Sequence, residues 1–270
     1  MLKTNYHTHT YRCGHATGTD EEYVRAAIEA GVKVLGFSDH AAYPPSDPRG
    51  RMNIEQVDEY CSSILSLKEK YKDQITIYLG MEVECYKEYW DVLAGYRKRF
   101  DYCILGQHHI GELNSPSVYS TTTAEALQTY VDSIAYACEH RLCDYICHPD
   151  VCLWTYPRID DSVRSAAKDL AQISLKYDIP LEINCGSGVL HDEKHYEDGD
   201  RFAYPTRAFF EEFAEQGCKT IIGLDIHKPE LFLTDKYLDR ALSVVKDLPL
   251  TILEDYDLPA AAIHNKQLFY

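Results

Sequence analysis

No apolar run in the sequence approaches the roughly 20 residues needed to cross a bilayer. The opening Met1-Leu2-Lys3-Thr4-Asn5 lacks the apolar stretch of a secretion signal, so a cytoplasmic protein is expected. Basic residues are few: 27 Lys and Arg stand against 43 Asp and Glu, a formal charge of −16. That surface repels phosphate backbones, which excludes nucleic acid and anionic membranes as main partners. No CxxC pair occurs among the ten cysteines, which are scattered and have no secretory context. They read as buried reduced thiols, neither a disulfide scaffold nor a cysteine metal site. There is no repeat, low-complexity segment or break in composition, so residues 1–270 read as one domain.

What the chain does contain is a rhythm of short apolar, β-prone runs and longer segments of helical period. Strands are expected near 3–7, 34–38, 75–83, 102–106, 145–147, 181–184 and 220–223. The helices between them start at the capping pattern Thr19-Asp20-Glu21-Glu22 and end near Lys236–Lys246. A Pro-rich loop, Tyr43-Pro44-Pro45, follows strand two, and the run Leu250–Leu253 reads as either an edge strand or a closing segment. Seven strand–helix repeats imply parallel strands with right-handed crossovers. An open dinucleotide-binding sheet wants a Gly-rich first turn, whereas Thr8-His9-Thr10-Tyr11 stands there.

Most of the twelve histidines sit beside a carboxylate or another histidine, and the majority fall just after a strand. His7 and His9 form an HxH pair whose side chains share one side of an extended chain. His15 follows in the loop, and His40 follows strand two. Glu82 and Glu84 end strand three, His108 and His109 follow strand four, and His148 follows strand five. Glu182 and Asn184 end strand six, while Asp225 and His227 follow strand seven. In a closed parallel barrel all these positions meet at the C-terminal face, where barrel active sites are built. Only His140, His191, His195 and His264 lie outside the pattern. Imidazole with carboxylate and without thiolate suits zinc, manganese, iron or cobalt. The candidates outnumber the ligands of one ion, so two or three divalent ions are expected.

These residues resemble the polymerase and histidinol phosphatase (PHP) superfamily, and more closely its histidinol-phosphate phosphatase branch. The matching stretches include His7-Thr8-His9-Thr10, Phe37-Ser38-Asp39-His40, Gly80-Met81-Glu82-Val83-Glu84, Leu105-Gly106-Gln107-His108-His109, Cys147-His148-Pro149-Asp150 and Gly223-Leu224-Asp225-Ile226-His227. The resemblance implies an α/β fold, a distorted seven-stranded (β/α)7 TIM-like barrel in a single domain, with a trinuclear centre. Carried over by position, one ion takes His7, His9, Glu82 and Asp225. A second takes bridging Glu82, His109 and His148, and the third takes His15, His40 and His227. His109 is preferred to His108 because the family's ligand stands three residues beyond the strand-ending glycine; Glu84 is the lesser alternative to Glu82. Glu182 and Asn184 are expected to orient histidines. The chain departs from the family at Leu224 and Ile226, which replace small residues, and in the loop 186–204, where substrate contacts are expected.

The implied reaction is hydrolysis of a phosphomonoester, L-histidinol phosphate in histidine biosynthesis, by a metal-bridging hydroxide. Asp225, Glu82 and His227 are the expected catalytic groups. Arg158 and Arg201 are the expected substrate-binding arginines, with Arg51 and Arg207 weaker candidates. Three other readings share parts of the pattern. A nuclease would want a basic groove and stacking aromatics, and the charge opposes it. Another small phosphomonoester or phosphodiester would suit the same metals. A non-catalytic metal-binding regulator would show a degraded ligand set, and no candidate ligand is missing.

Overall fold

The computed structural model describes residues 2–44 and 50–269; Pro45 of the expected Pro-rich loop lies outside them. Eight strands run parallel in one sheet: β1 (Thr4–Asn5), β2 (Val34–Phe37), β3 (Thr76–Val83), β4 (Tyr102–Leu105), β5 (Tyr145–Ile146), β6 (Leu181–Asn184), β9 (Lys219–Gly223) and β10 (Thr251–Ile252), in that spatial order. Between them, on the polar loop after β6, lies a small antiparallel hairpin of β7 (Lys194–Tyr196) and β8 (Gly199–Arg201).

The helices alternate with the strands: α1 (Asp20–Glu29), α2 (Val57–Lys70), α3 (Trp90–Arg99), α4 (Ala124–Glu139), α5 (Asp161–Tyr177), the single turn α6 (Ser187–Leu190), α7 (Arg207–Glu215), α8 (Lys236–Val244) and α9 (Leu258–Gln267). Helix α1 starts where the sequence says it should. The Thr19 hydroxyl accepts from the Glu22 amide while Glu22 accepts from the Thr19 amide, satisfying two otherwise orphaned donors.

The sheet curls. The chain leaving β1 meets the chain leaving β9 through a parallel bridge between Thr8 and Ile226. The His9 amide donates to Ile226 O at 2.9 Å, and the Ile226 amide to His7 O at 3.2 Å. Strand β10 attaches to the other end of β9, beside Lys219 and Thr220. The curl gives the sheet an inside and an outside, and alternate residues divide between them. Tyr6, Tyr102, Ile104, Tyr145, Cys147 and Ile221 fill the inside. Cys103, Leu105 and Ile146 face the larger core beneath the helices. All ten cysteines are buried and free, as expected of reduced thiols. Among the described residues no helix is long and apolar enough to cross a membrane.

Three features differ from the sequence expectation. The run 250–253 supplies an eighth parallel strand where seven were expected. The loop 186–204 folds into α6 and the β7–β8 hairpin. Helix α9 was not expected, because its apolar residues follow no clear helical stripe and it is fixed from outside. Asn265 donates to Asp144 Oδ1 at 3.0 Å, and that carboxylate is held by Arg97 of α3 through bonds of 2.6 Å.

Candidate metal centre

Each strand end hands one or two polar side chains to the same place. His7 and His9 leave β1 on one side of the extended chain. Their Nε2 atoms stand 3.5 and 3.0 Å from Asp225 Oδ1, and 3.7 and 3.5 Å from Glu82 Oε2. His40, in a parallel bridge with Glu82, has Nδ1 2.8 Å from the same Oε2. On the other oxygen, Glu82 Oε1, His148 Nε2 lies at 3.1 Å and His108 Nε2 at 3.9 Å. His227 stacks between His9 and His15, with ring centroids 4.0 and 4.7 Å away, and His15 faces His40 at 5.4 Å.

Among the described residues, five overlapping groups could hold a cation: His7, His9 and Asp225; His7, Glu82, Cys147 and His148; His15, His40 and His227; His9, Cys13 and His227; and His9, His40 and Glu82. Glu82 belongs to more than one, since it also groups with His9 and His40. Of the three sets drawn from the sequence, His15, His40 and His227 come together as one group, His7, His9 and Asp225 group without Glu82, and Glu82 and His148 group with His7 and Cys147 and not with His109. Cys147 is an unexpected neighbour, its thiol 3.4 Å from Glu82 Oε1. Burial and the surrounding carboxylates push its pKa well up, so it stays a thiol.

The remaining nitrogen of most of these rings has its own acceptor, which fixes where the other nitrogen points. His7 Nδ1 lies 2.8 Å from Glu182 Oε1, and the second oxygen of Glu182 accepts from the His148 amide at 2.9 Å and from Asn184 at 2.8 Å. His15 Nδ1 meets Cys13 O and His227 Nδ1 meets Asp225 O, each at 3.1 Å. A carboxylate or carbonyl can only accept, so Nδ1 carries a proton and Nε2 is the nitrogen turned inward. The Nε2 atoms of His7, His9 and His227 and Glu82 Oε2 are buried without a hydrogen-bond partner. Buried polar atoms are rarely left so, and converging ligand atoms are what a cation needs.

The electrostatics agree. Burial would raise the carboxyls of Glu82 and Asp225, yet His40 and His148 around the first and His7 and His227 around the second hold both well below the usual range. Burial lowers His7 and His9, but Glu182 and Asp225 lift His7 well above normal, and Asp225 with Asp39 brings His9 to about 9. His40 and His227, where burial is joined by the charge of His9, fall to about 3. The two carboxylates stay ionised and draw positive charge into the site: without a cation that charge is carried by protons on His7 and His9, which a metal ion would displace from Nε2.

The backbone is bent to serve this cluster. His148 and Asp225 both have positive φ, 30° and 50°, a conformation costly for residues with a Cβ and found where function demands it. Gly186 gives Asp225 its room, since a Cβ there would lie 2.2 Å from Oδ2.

Other sequence candidates are placed elsewhere. His109 turns away, its Nδ1 2.8 Å from the Tyr86 hydroxyl, while the adjacent His108 faces the cluster between His40 and His148, 5.1 and 5.0 Å from their rings. The geometry therefore favours His108, because the chain leaving β4 turns the side chain one residue earlier inward. Glu84 is occupied by other donors. Arg158 is exposed and paired with Glu197 at 3.2 Å. Arg201 lies on the Tyr196 ring and donates to the carbonyls of Leu153, Tyr156, Phe202 and Ala203 at 3.2–3.5 Å, while its Nε is buried without a hydrogen-bond partner. Arg207 pairs with Glu211 and the carbonyls of Val244 and Lys246. Sequence reasoning missed Asp39, whose Oδ1 is 3.5 Å from His9 Nδ1, although its place beside His40 was a signal. It also missed an aromatic face: Tyr119 stacks on His108 at 6.2 Å, Tyr204 lies 5.9 Å from His148, and Trp154 joins the two at 5.2 and 5.9 Å.

A PHP domain profile matches residues 5–186. The chain belongs to the PHP domain family. Asp225 and His227 lie beyond the span matched by the PHP profile, and the structure brings them to His7, His9 and His15 within it. A Deinococcus radiodurans protein named a probable histidinol-phosphatase is 27% identical over 235 residues, covering 83% of this chain and 85% of its own. The histidinol-phosphatase of Bacillus subtilis is 31% identical over 121 residues, 41% of this chain and 45% of its own. The crystal structure of histidinol phosphate phosphatase from Lactococcus lactis, complexed with zinc, L-histidinol and phosphate, superposes with a TM-score of 0.69 at 19% identity. The match covers 94% of this PHP chain and 96% of that one.

Proposed function

We propose that the chain is a metal-dependent phosphomonoesterase hydrolysing L-histidinol phosphate to L-histidinol and phosphate. The observation that carries the reading is the convergence of inward Nε2 atoms on Glu82 and Asp225 at the C-terminal ends of the strands. Histidinol-phosphatases among the relatives supply the substrate. The fold is read as a distorted barrel of seven strands, closed at that end by the Thr8–Ile226 pairing, in one domain over residues 1–270.

Two or three divalent ions, of zinc, manganese, iron or cobalt, fit the donor set. His7, His9, Asp225 and Glu82 would hold the first. Glu82, His148 and His108 would hold the second, with His108 in place of His109, and His15, His40 and His227 the third. Such ions supply activated water and neutralise the phosphoryl oxygens. Glu82 divides its two oxygens between two groups of histidines, and so fixes their spacing. Asp225, ionised at the rim of the first group with His227 beside it, is the residue placed to take a proton from the attacking water and relay it to the leaving alkoxide. Glu182 accepts from His7 Nδ1 and so turns His7 Nε2 inward. The face of Tyr119, Trp154 and Tyr204 suits a flat heteroaromatic ring such as the imidazole of the leaving group.

The test is phosphate release from a panel of phosphomonoesters by protein loaded with zinc or manganese. Preference for histidinol phosphate over p-nitrophenyl phosphate and sugar phosphates is expected. No turnover of any member, with metal content confirmed, ends the proposal.

A further inference from the structure

Glu84 and Arg51 carry charge in the interior yet belong to none of the ligand groups. The Glu84 side chain is 4% exposed and that of Arg51 7%. Arg51 Nη1 donates to Glu84 Oε2 at 2.6 Å, and the Tyr86 hydroxyl donates to the same oxygen. The other oxygen, Oε1, accepts from the His108 amide and faces His108 Nδ1, each at 2.9 Å. The guanidinium lies over the rings of Tyr43 and Tyr86, at 5.6 and 5.9 Å, and the Tyr43 hydroxyl pairs with the backbone of Glu84 in both directions. With two donors on each oxygen the carboxylate is filled, which rules it out as a ligand.

We propose that Arg51 and Glu84 are positioning residues that act through His108, holding its Nδ1 protonated and its Nε2 turned towards Glu82. The proposal rests on His108 being a ligand, as read above. The chemistry is directional. Arg51 keeps Glu84 ionised and immobile; an ionised carboxylate can only accept, so His108 Nδ1 must donate to it. The lone pair is then on Nε2, which lies 3.9 Å from Glu82 Oε1, too far for a hydrogen bond and open to a cation. His109, one residue on, is held off by the same assembly through Tyr86. Thus the pair decides which of two adjacent histidines serves the centre.

The test is metal stoichiometry and zinc affinity, by chelator competition, for the full chain and for H108A, R51M, E84Q and the double variant H108A/E84Q. Circular dichroism of each metal-free form serves as the folding control. H108A is expected to weaken one ion of the set. E84Q and R51M should each weaken that same ion by about 10- to 100-fold, the usual effect of losing a partner behind a ligand. E84Q should add nothing once His108 is absent. If R51M or E84Q does not fold, R51K and Y86F take their places and should give smaller losses confined to the same ion. Full affinity in the Arg51 and Glu84 variants, or losses that simply add to that of H108A, would overturn the positioning role. Unchanged affinity in H108A would instead remove His108 from the ligand set, and this role with it.

Discussion

Gly106 leaves the space that Glu82 occupies. A Cβ on Gly106 would stand 1.7 Å from Glu82 Oε1, at the carboxylate shared between two groups of histidines. Backbone on both sides is paired, the Gly106 amide donating to Val83 O at 3.0 Å, so the side chain must yield rather than the strand. G106A is therefore expected to lose bound metal and at least about 100-fold in phosphate release, roughly 2.7 kcal/mol of barrier. Metal content measured alongside turnover checks it; a fully loaded, active G106A would contradict the shared role of Glu82.

Removing a proposed ligand should act on metal and rate before it acts on the fold. H9A and D225A are each expected to lower kcat by about 100-fold or more with the far-ultraviolet spectrum unchanged. H109A should stay close to the unmodified protein, because its ring faces Tyr86. Equal damage from H109A and H108A would return the assignment to where the sequence spacing put it.

Chelation gives a reversible version of the same test. Stripping divalent ions leaves Glu82 and Asp225 buried as carboxylates among imidazoles, the Cys147 thiol and the Asn184 amide. Activity should vanish and return on adding zinc or manganese, and Tm should rise with the concentration of added ion. A Tm indifferent to added ion would speak against a built site.

Asp144 should matter for stability alone. It takes two bonds of 2.6 Å from Arg97 and further bonds from the Cys103 amide and Asn265, with both charged side chains almost fully buried. Breaking a buried pair from one side typically costs about 3–5 kcal/mol, because the other charge is left unpaired. Urea titration of D144A should show that loss, with zinc stoichiometry unchanged.

Glu21 sets a pH dependence away from the metal centre. Tyr71, Lys70 and Arg25 all donate to Glu21 Oε1, at 2.6, 2.9 and 2.7 Å, and hold the carboxyl at about 2. A depressed folded-state pKa stabilises above the unfolded value and loses that stabilisation as pH falls through the folded one. In the metal-free protein the stability of E21Q should therefore fall less steeply between pH 4.5 and 2 than that of the unmodified chain. The exposure of the site keeps the difference small; parallel curves would refute it.

Residue order alone was enough to place His7 and His9 on one side of an extended strand, and to place Glu82, His148 and Asp225 at the ends of three different strands of a parallel α/β fold. The capping pattern at Thr19 and Glu22 likewise needs only local bonds. What needed the folded chain was every choice between neighbours of the same type. His108 or His109, and Glu84 as clamp or ligand, are decided by partners far away in sequence: Arg51, Tyr86 and Glu82. Arg158 tells the same story, since its partner Glu197 stands far from it in sequence. A residue's chemistry is local, but the direction of its lone pairs and the charge it has left over depend on which distant donors and acceptors the curled sheet brings against it.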